Sequence, residues 1–219
     1  MKVIIDTCSL LSLVRYYLPF DKQNNLLNFI RSKIEASELI IIDAVYKECQ
    51  IIAKGIILDT LFYLKDKNFK KDNEVPVNTE NIIAPSPAKF LRQVDNQFVI
   101  GIMKNRLSEA EYENRKEEFM RSADMRMILY YLNLKQQAES QPRQSSLFEE
   151  DTNRKDIIIV TEETQANNDG KLFHKIPKIC EILNNPIMTL PELLTEYDVI
   201  DALFKYSFIH LNNKLSHTK

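Results

Sequence analysis

Short apolar runs that each stop at an acid or hydroxyl and pass at once into residues spaced for a helix leave this chain few folds to choose from. The first is Lys2–Ile5, which ends at Asp6 and is followed by Thr7, Cys8, Ser9 and a helical pattern through Leu10, Leu11, Leu13, Val14 and Tyr17. Residues 39–42 repeat the plan: they close on Asp43 and lead into Val45, Tyr46, Cys49, Ile52, Ile56 and Ile57, with Glu48 near the start of that helix. Residues 156–160 are β-branched and end in Thr161, Glu162 and Glu163, ahead of a helix near 178–183 and one more short strand at 186–190. Strands alternating with helices predict an α/β protein, a three-layer sandwich around a mainly parallel sheet with helices on both faces.

One domain spanning 1–219 accommodates these elements, with insertions. Residues 65–89 turn polar and contain Pro76, Pro85 and Pro87, so they read as a long excursion and not as a packed element. Two helical stretches follow, 90–107 and a charge-rich solvated one at 108–120, so 65–120 forms an inserted excursion and helical pair. Ser122 then caps a new helix carrying Asp124, Met127, Ile128, Tyr131 and Leu132. Residues 136–155, rich in Gln, Ser, Glu and Asp, read as a mobile loop.

Composition removes several function classes. No run approaches the 18 or more apolar residues of a membrane span, and Asp6 interrupts the only stretch that might pass for a signal peptide, so a cytoplasmic location is expected. Cys8, Cys49 and Cys180 are odd in number and widely spaced, which suits buried reduced thiols better than disulfides or a zinc site. A formal charge of −2 argues against coating nucleic acid by bulk electrostatics but is compatible with an acidic pocket inside a basic rim.

In an open parallel sheet the functional crevice lies beyond the carboxyl ends of the strands. Asp6 follows such an end, although a helix N-cap would explain it equally. Glu48 and Asp124 lie in the first turns of their helices, where complementing the helix dipole is the ordinary role. Glu162 and Glu163 leave a third strand at the same side, so four separate segments deliver acids to one mouth. Two carboxylates at about 4 Å repel by roughly 4 kcal/mol at an effective dielectric near 20, and a divalent cation removes that penalty. Oxygen donors without a His or Cys constellation select Mg2+ or Mn2+.

The blocks VIIDTCSLL, VYKEC, SADMRMILYYL, IIIVTEE and HKIPKICEIL together resemble the PIN-domain superfamily, in particular a bacterial PIN-like family related to VapC-type toxins. They cover about half of the chain. The resemblance implies a PIN-like fold and a metal-dependent endoribonuclease, with Asp6, Glu48 and Asp124 at the positions of three characteristic acids and Mg2+ or Mn2+ as cofactor. For the fourth acid it favours Glu163, with Glu162 as rival, and Asp169 is a candidate for a second ion or a turn residue beside Gly170. Thr7 and Ser9 fall where the family often has hydroxyls near the metal, or else they cap the helix. Asp43 reads as a helix cap in preference to a ligand. Lys171, Lys175 and Lys178 flank the mouth as phosphate contacts or as solvated loop lysines, and His174 is not needed by this chemistry. RNA is the implied substrate, and an antitoxin protein and a homodimer are the partners the likeness brings with it.

The competing reading is a PIN-like module that binds RNA or protein without cleaving it. A haloacid-dehalogenase phosphohydrolase is disfavoured because Cys8 stands where a second acid is needed, and a response-regulator receiver lacks its adjacent acidic pair here.

Overall fold

Val3, Ile4 and Ile5 of β1 (Lys2–Ile5) are each 0% exposed, and a strand that buries both of its faces belongs in the middle of a sheet. The computed structural model, which describes residues 1–140, 157–164 and 170–199, places it there. With β2 (Leu39–Ile40), β3 (Ile157–Val160) and β4 (Ile187–Met188) it forms a parallel sheet in the order β2-β1-β3-β4. Val3 pairs with Leu39 on one side and Ile158 on the other.

Two helices, α1 (Thr7–Ser12) and α2 (Asn25–Glu35), carry the chain from β1 to β2. Between β2 and β3 come α3 (Asp43–Ile51), α4 (Ile56–Thr60), α5 (Lys67–Asp72), α6 (Pro87–Gln93), α7 (Gly101–Lys104), α8 (Glu109–Arg121) and α9 (Ala123–Ser140). After β3, α10 (Ile176–Leu183) leads to β4 and α11 (Leu190–Glu196) follows it. Right-handed crossovers send the β1-to-β2 and β3-to-β4 connections to opposite faces of the sheet, which makes the three layers; α9 packs on β3 and against α10, while α3 and α4 lie against α1. The β1 connection departs towards β2 and the β3 connection in the opposite direction, so the chain parts at the carboxyl ends of β1 and β3. Such a switch point opens a crevice.

The expected α/β architecture with a parallel sheet is present, and its differences from expectation are local. Strand β2 ends at Ile40, because Ile41 and Ile42 turn to a different neighbour: Val77 donates to the Ile41 carbonyl at 2.9 Å and Asp43 donates to Val77 at 2.8 Å. The segment 65–89 is therefore packed structure and not a bare excursion. It holds α5, whose Phe69 is buried, and it also buries Val75, Thr79 and Ala84. Helix α9 continues to Ser140, so 136–140 is helical and not loop, while 141–155 lies outside the described residues. Leu190 begins a helix instead of ending a strand.

The inserted helices are tied to the segment that follows β3. Ile100 donates to the Leu172 carbonyl and His174 to the Phe98 carbonyl, each at 2.8 Å, and Phe119 of α8 stacks on Phe173 with ring centroids 4.0 Å apart. Helix α8 is solvated as its charge pattern predicts, with Tyr112 its one buried residue, and a Ser108–Glu111 capping box starts it. No helix among the described residues is long and apolar enough to cross a membrane.

Candidate active site

Asp6 leaves β1 with its backbone N–H still on the ladder, donating to the Val160 carbonyl at 2.9 Å, and so it emerges at the switch point between β1 and β3. The side chain caps α1, taking the Thr7 N–H on Oδ1 at 2.6 Å, while Oδ2 accepts from Thr161 Oγ1 at 3.0 Å and from Cys8 Sγ at 2.6 Å. It is only 5% exposed. The N-cap and the crevice readings of Asp6 are thus both right, since a cap at a strand's carboxyl end necessarily points into the crevice.

Thr7 links Asp6 to the next acid. Its hydroxyl donates to Glu48 Oε2 at 2.5 Å, across 41 residues of sequence, and it is 3% exposed, so it holds Glu48 and leaves little surface for a substrate. Ser9 is 0% exposed and its hydroxyl has no partner among the described residues, which removes it both from the rim and from helix capping. The expected substrate-binding role of Ser9 has no surface to act through.

Glu48 and Asp124 show what the cluster does electrostatically. Burial raises the Glu48 carboxyl above the usual range, the Thr7 hydroxyl opposes it, and the charges of Asp6 and Glu163 raise it further. Burial also dominates at Asp124, where the charges of Asp6, Glu163 and Glu48 add to it and push the carboxyl up to about 7, against the single pull of Lys171. Asp6, Glu48, Asp124 and Glu163 therefore share one field. They come from β1, α3, α9 and the segment after β3.

The structure separates the two adjacent glutamates. Glu162 Oε1 accepts the Leu190 N–H at 2.6 Å and so caps the start of α11, turning towards β4. Glu163 faces the other acids, with Oε2 taking the Ile176 N–H at the start of α10 at 3.3 Å. Alternating side-chain directions after a strand send neighbours to opposite sides. Asp169 lies outside the described residues. Lys171 is exposed and acts on Asp124, Lys175 is partly buried ahead of α10, and Lys178 pairs with Glu181 at 2.7 Å.

Two features escaped the sequence reading. Cys8, grouped with the buried thiols, sits in the crevice: it donates to Asp6 and accepts the Glu162 N–H at 3.3 Å. Burial, then the Asp6 charge and hydrogen bond, push its thiol up to about 12. A thiol two residues beyond the leading acid, in the first turn of a helix, was the available signal. Asp43 is the first residue of α3 and not its cap; it engages both the backbone and the hydroxyl of Thr79, and Arg126 Nη1 at 3.0 Å.

The donors around the mouth are carboxylate oxygens, a set that suits a hard divalent cation. Among the described residues, no three His, Cys, Asp or Glu side chains stand close enough to grip one ion as placed. Asp6, Glu48 and Glu163 each direct an oxygen at a protein donor, and Asp124 supplies the carboxylate most in need of positive charge. Compared with models of known families, with curated proteins and with solved structures, the chain matches none.

Proposed function

We propose that this chain is a Mg2+- or Mn2+-dependent ribonuclease that hydrolyses RNA phosphodiesters at the mouth formed by Asp6, Glu48, Asp124 and Glu163. The observation that carries the proposal is the shared field of these four carboxylates at the sheet's switch point, which adds to burial in raising the Asp124 carboxyl to about 7. A group of acids that repel one another in a crevice is a poor structural device and a good cation receptor. A cation bound there supplies positive charge to a phosphoryl group and makes water a better nucleophile at neutral pH.

The chain's own residues do the rest. Asp6, held by the Thr7 N–H, Thr161 and Cys8, would be the fixed ligand, and Glu48, steadied by Thr7, would be the second. Asp124 would hold the cation as a carboxylate, and Glu163 would hold it from the β3 side. Lys171, exposed and near Asp124, meets the phosphate backbone, with Lys175 beyond it. RNA as the polymer, a toxin role with a neutralising protein partner, a homodimer and a cytoplasmic setting rest on the PIN-like resemblance.

Asp6→Asn keeps the cap on α1 and removes the charge. Mn2+-dependent cleavage of a mixed single-stranded RNA should fall by about 10²–10³-fold while the circular dichroism spectrum stays the same. Full activity in that variant removes the mechanism, and binding without cleavage by the native chain under all divalent ions favours the inactive binding module.

A further inference from the structure

Asp43 and Arg126 lie 83 residues apart in sequence and meet at 3.0 Å, and each sits on a helix that carries one of the acids. Asp43 opens α3 five residues before Glu48; Arg126 follows Asp124 by two residues in the first turns of α9. We infer that the Asp43–Arg126 ion pair is a positioning device that sets the spacing between Glu48 and Asp124, and hence the grip of the acid cluster on its cation. The inference rests on the ribonuclease reading and adds to it two residues that touch neither metal nor RNA.

Both side chains are largely enclosed, at 13% and 15% exposure, so the pair is screened far less than a surface bridge and its geometry is held. Asp43 Oδ1 is occupied by the backbone N–H of Thr79 at 3.0 Å and by its hydroxyl, and Thr79 is 2% exposed. Oδ2 is left for Arg126, with Lys47 at 3.6 Å on the outer side. Three stretches of chain are pinned at one carboxylate: α3, α9 and the packed segment ending at Thr79, whose Val77 also pairs with Ile42. This ion pair joins α3 directly to α9. Apart from it, α3 and α9 are joined through the common apolar core, to which Val45 and Met127 both belong, and apolar packing fixes a separation less sharply than a hydrogen-bonded ion pair does.

Asp43→Asn, Arg126→Gln and the double variant test the inference, with Asp21→Ala as a control for lost stability. Asp21 caps α2 through the N–H groups of Asn25 and Leu27 at 2.8 and 2.9 Å and takes no part in the acid field, so its loss lowers Tm without touching the mouth. Mn2+ binding is measured by titration calorimetry, and the Mn2+ concentration that half-activates RNA cleavage by initial rates. Each single variant should weaken Mn2+ about tenfold, the scale seen when a partner of a metal ligand is removed. The double variant should be no worse than either single, because one interaction is lost in all three. Asp21→Ala should keep native Mn2+ affinity. Unchanged affinity in Arg126→Gln, additive losses in the double variant, or an equal loss in Asp21→Ala would each overturn the positioning role. Native protein that neither binds Mn2+ nor cleaves RNA overturns the ribonuclease reading itself, and this inference with it.

Discussion

Asp95 in the inserted helices and Asp124 at the mouth are both partly buried aspartates, and they are supplied in opposite ways. Asp95 accepts from Lys116 Nζ and from the Tyr112 hydroxyl, each at 2.7 Å, and Lys104 stands close by. Burial works against its charged form, yet those hydrogen bonds and cations outweigh it and hold the carboxyl below the usual range. Asp124 meets three other acids and one exposed lysine, and its carboxyl is pushed up. The insertion is electrostatically complete as folded, whereas the mouth is complete only with a proton or a cation. That contrast separates an acid whose charge the fold already balances from acids whose charge it leaves unbalanced.

Neutralising Asp124 breaks the contrast most severely. A carboxyl raised in the folded state binds more protons than the unfolded chain between about pH 4 and pH 7, so stability falls as pH rises through that window and levels off above it. Asp124→Asn abolishes this loss: in the absence of divalent ions the variant should be more stable than the native chain at pH 8, by on the order of 2–4 kcal/mol, and no more stable at pH 3.5. Urea unfolding at the two pH values reads the difference. The same variant should lose Mn2+-dependent cleavage by about 10²-fold or more. A native chain whose metal-free stability is flat from pH 4 to pH 8 would mean that the four acids do not share a field.

Asp95→Asn sharpens the comparison from the other side. Here the folded carboxyl is depressed, so its stabilisation is present above the unfolded value near pH 4 and is lost as pH falls through the lower folded value. At pH 7 the variant should lose about 1–2 kcal/mol, the scale of hydrogen bonds to a charged group, in an equilibrium unfolding curve. Its Mn2+ affinity should match the native chain. A weakened Mn2+ response would show that the insertion, through Phe98, Phe119 and the 172–174 segment, bears on the mouth after all.

Much of the fold was legible because burial on both faces leaves a plain mark: Val3, Ile4 and Ile5 cannot be anything but a central strand, and each stops at the residue that enters the crevice. That Asp6, Glu48, Asp124 and the Glu162–Glu163 pair could reach one mouth followed from strand polarity, and the PIN-like resemblance favoured Glu163 of the pair. What the sequence hid depends on contacts between distant segments. Nothing local tells Glu162 from Glu163 until the Leu190 N–H claims the first. Thr79, in a polar and proline-bearing stretch, looked like loop, and only the Asp43 carboxylate waiting in a closed space makes it structural. The PIN-like resemblance put Ser9 near the metal, with helix capping as its alternative, and nothing in its own neighbourhood tells that its side of α1 faces the core.

Cys8 offers the finest test of how the mouth differs from the interior, because all three thiols are free and only this one touches a carboxylate of the cluster. Its S–H is a weak donor, and Asp6 Oδ2 also has the Thr161 hydroxyl at 3.0 Å, so the thiol orients a group that is already held. Cys8→Ala should therefore shift the half-activating Mn2+ concentration by only about two- to threefold, with the direction towards weaker binding. Cys8→Asp asks the opposite question: a fifth carboxylate at that place deepens the negative field, so metal-free stability at pH 8 should drop below that of the native chain and Mn2+ should restore it. Thermal unfolding with and without Mn2+ measures both. If Mn2+ stabilises Cys8→Asp no more than it stabilises the native chain, the thiol faces away from the ion's position and Asp6 is reached from the Glu48 side alone.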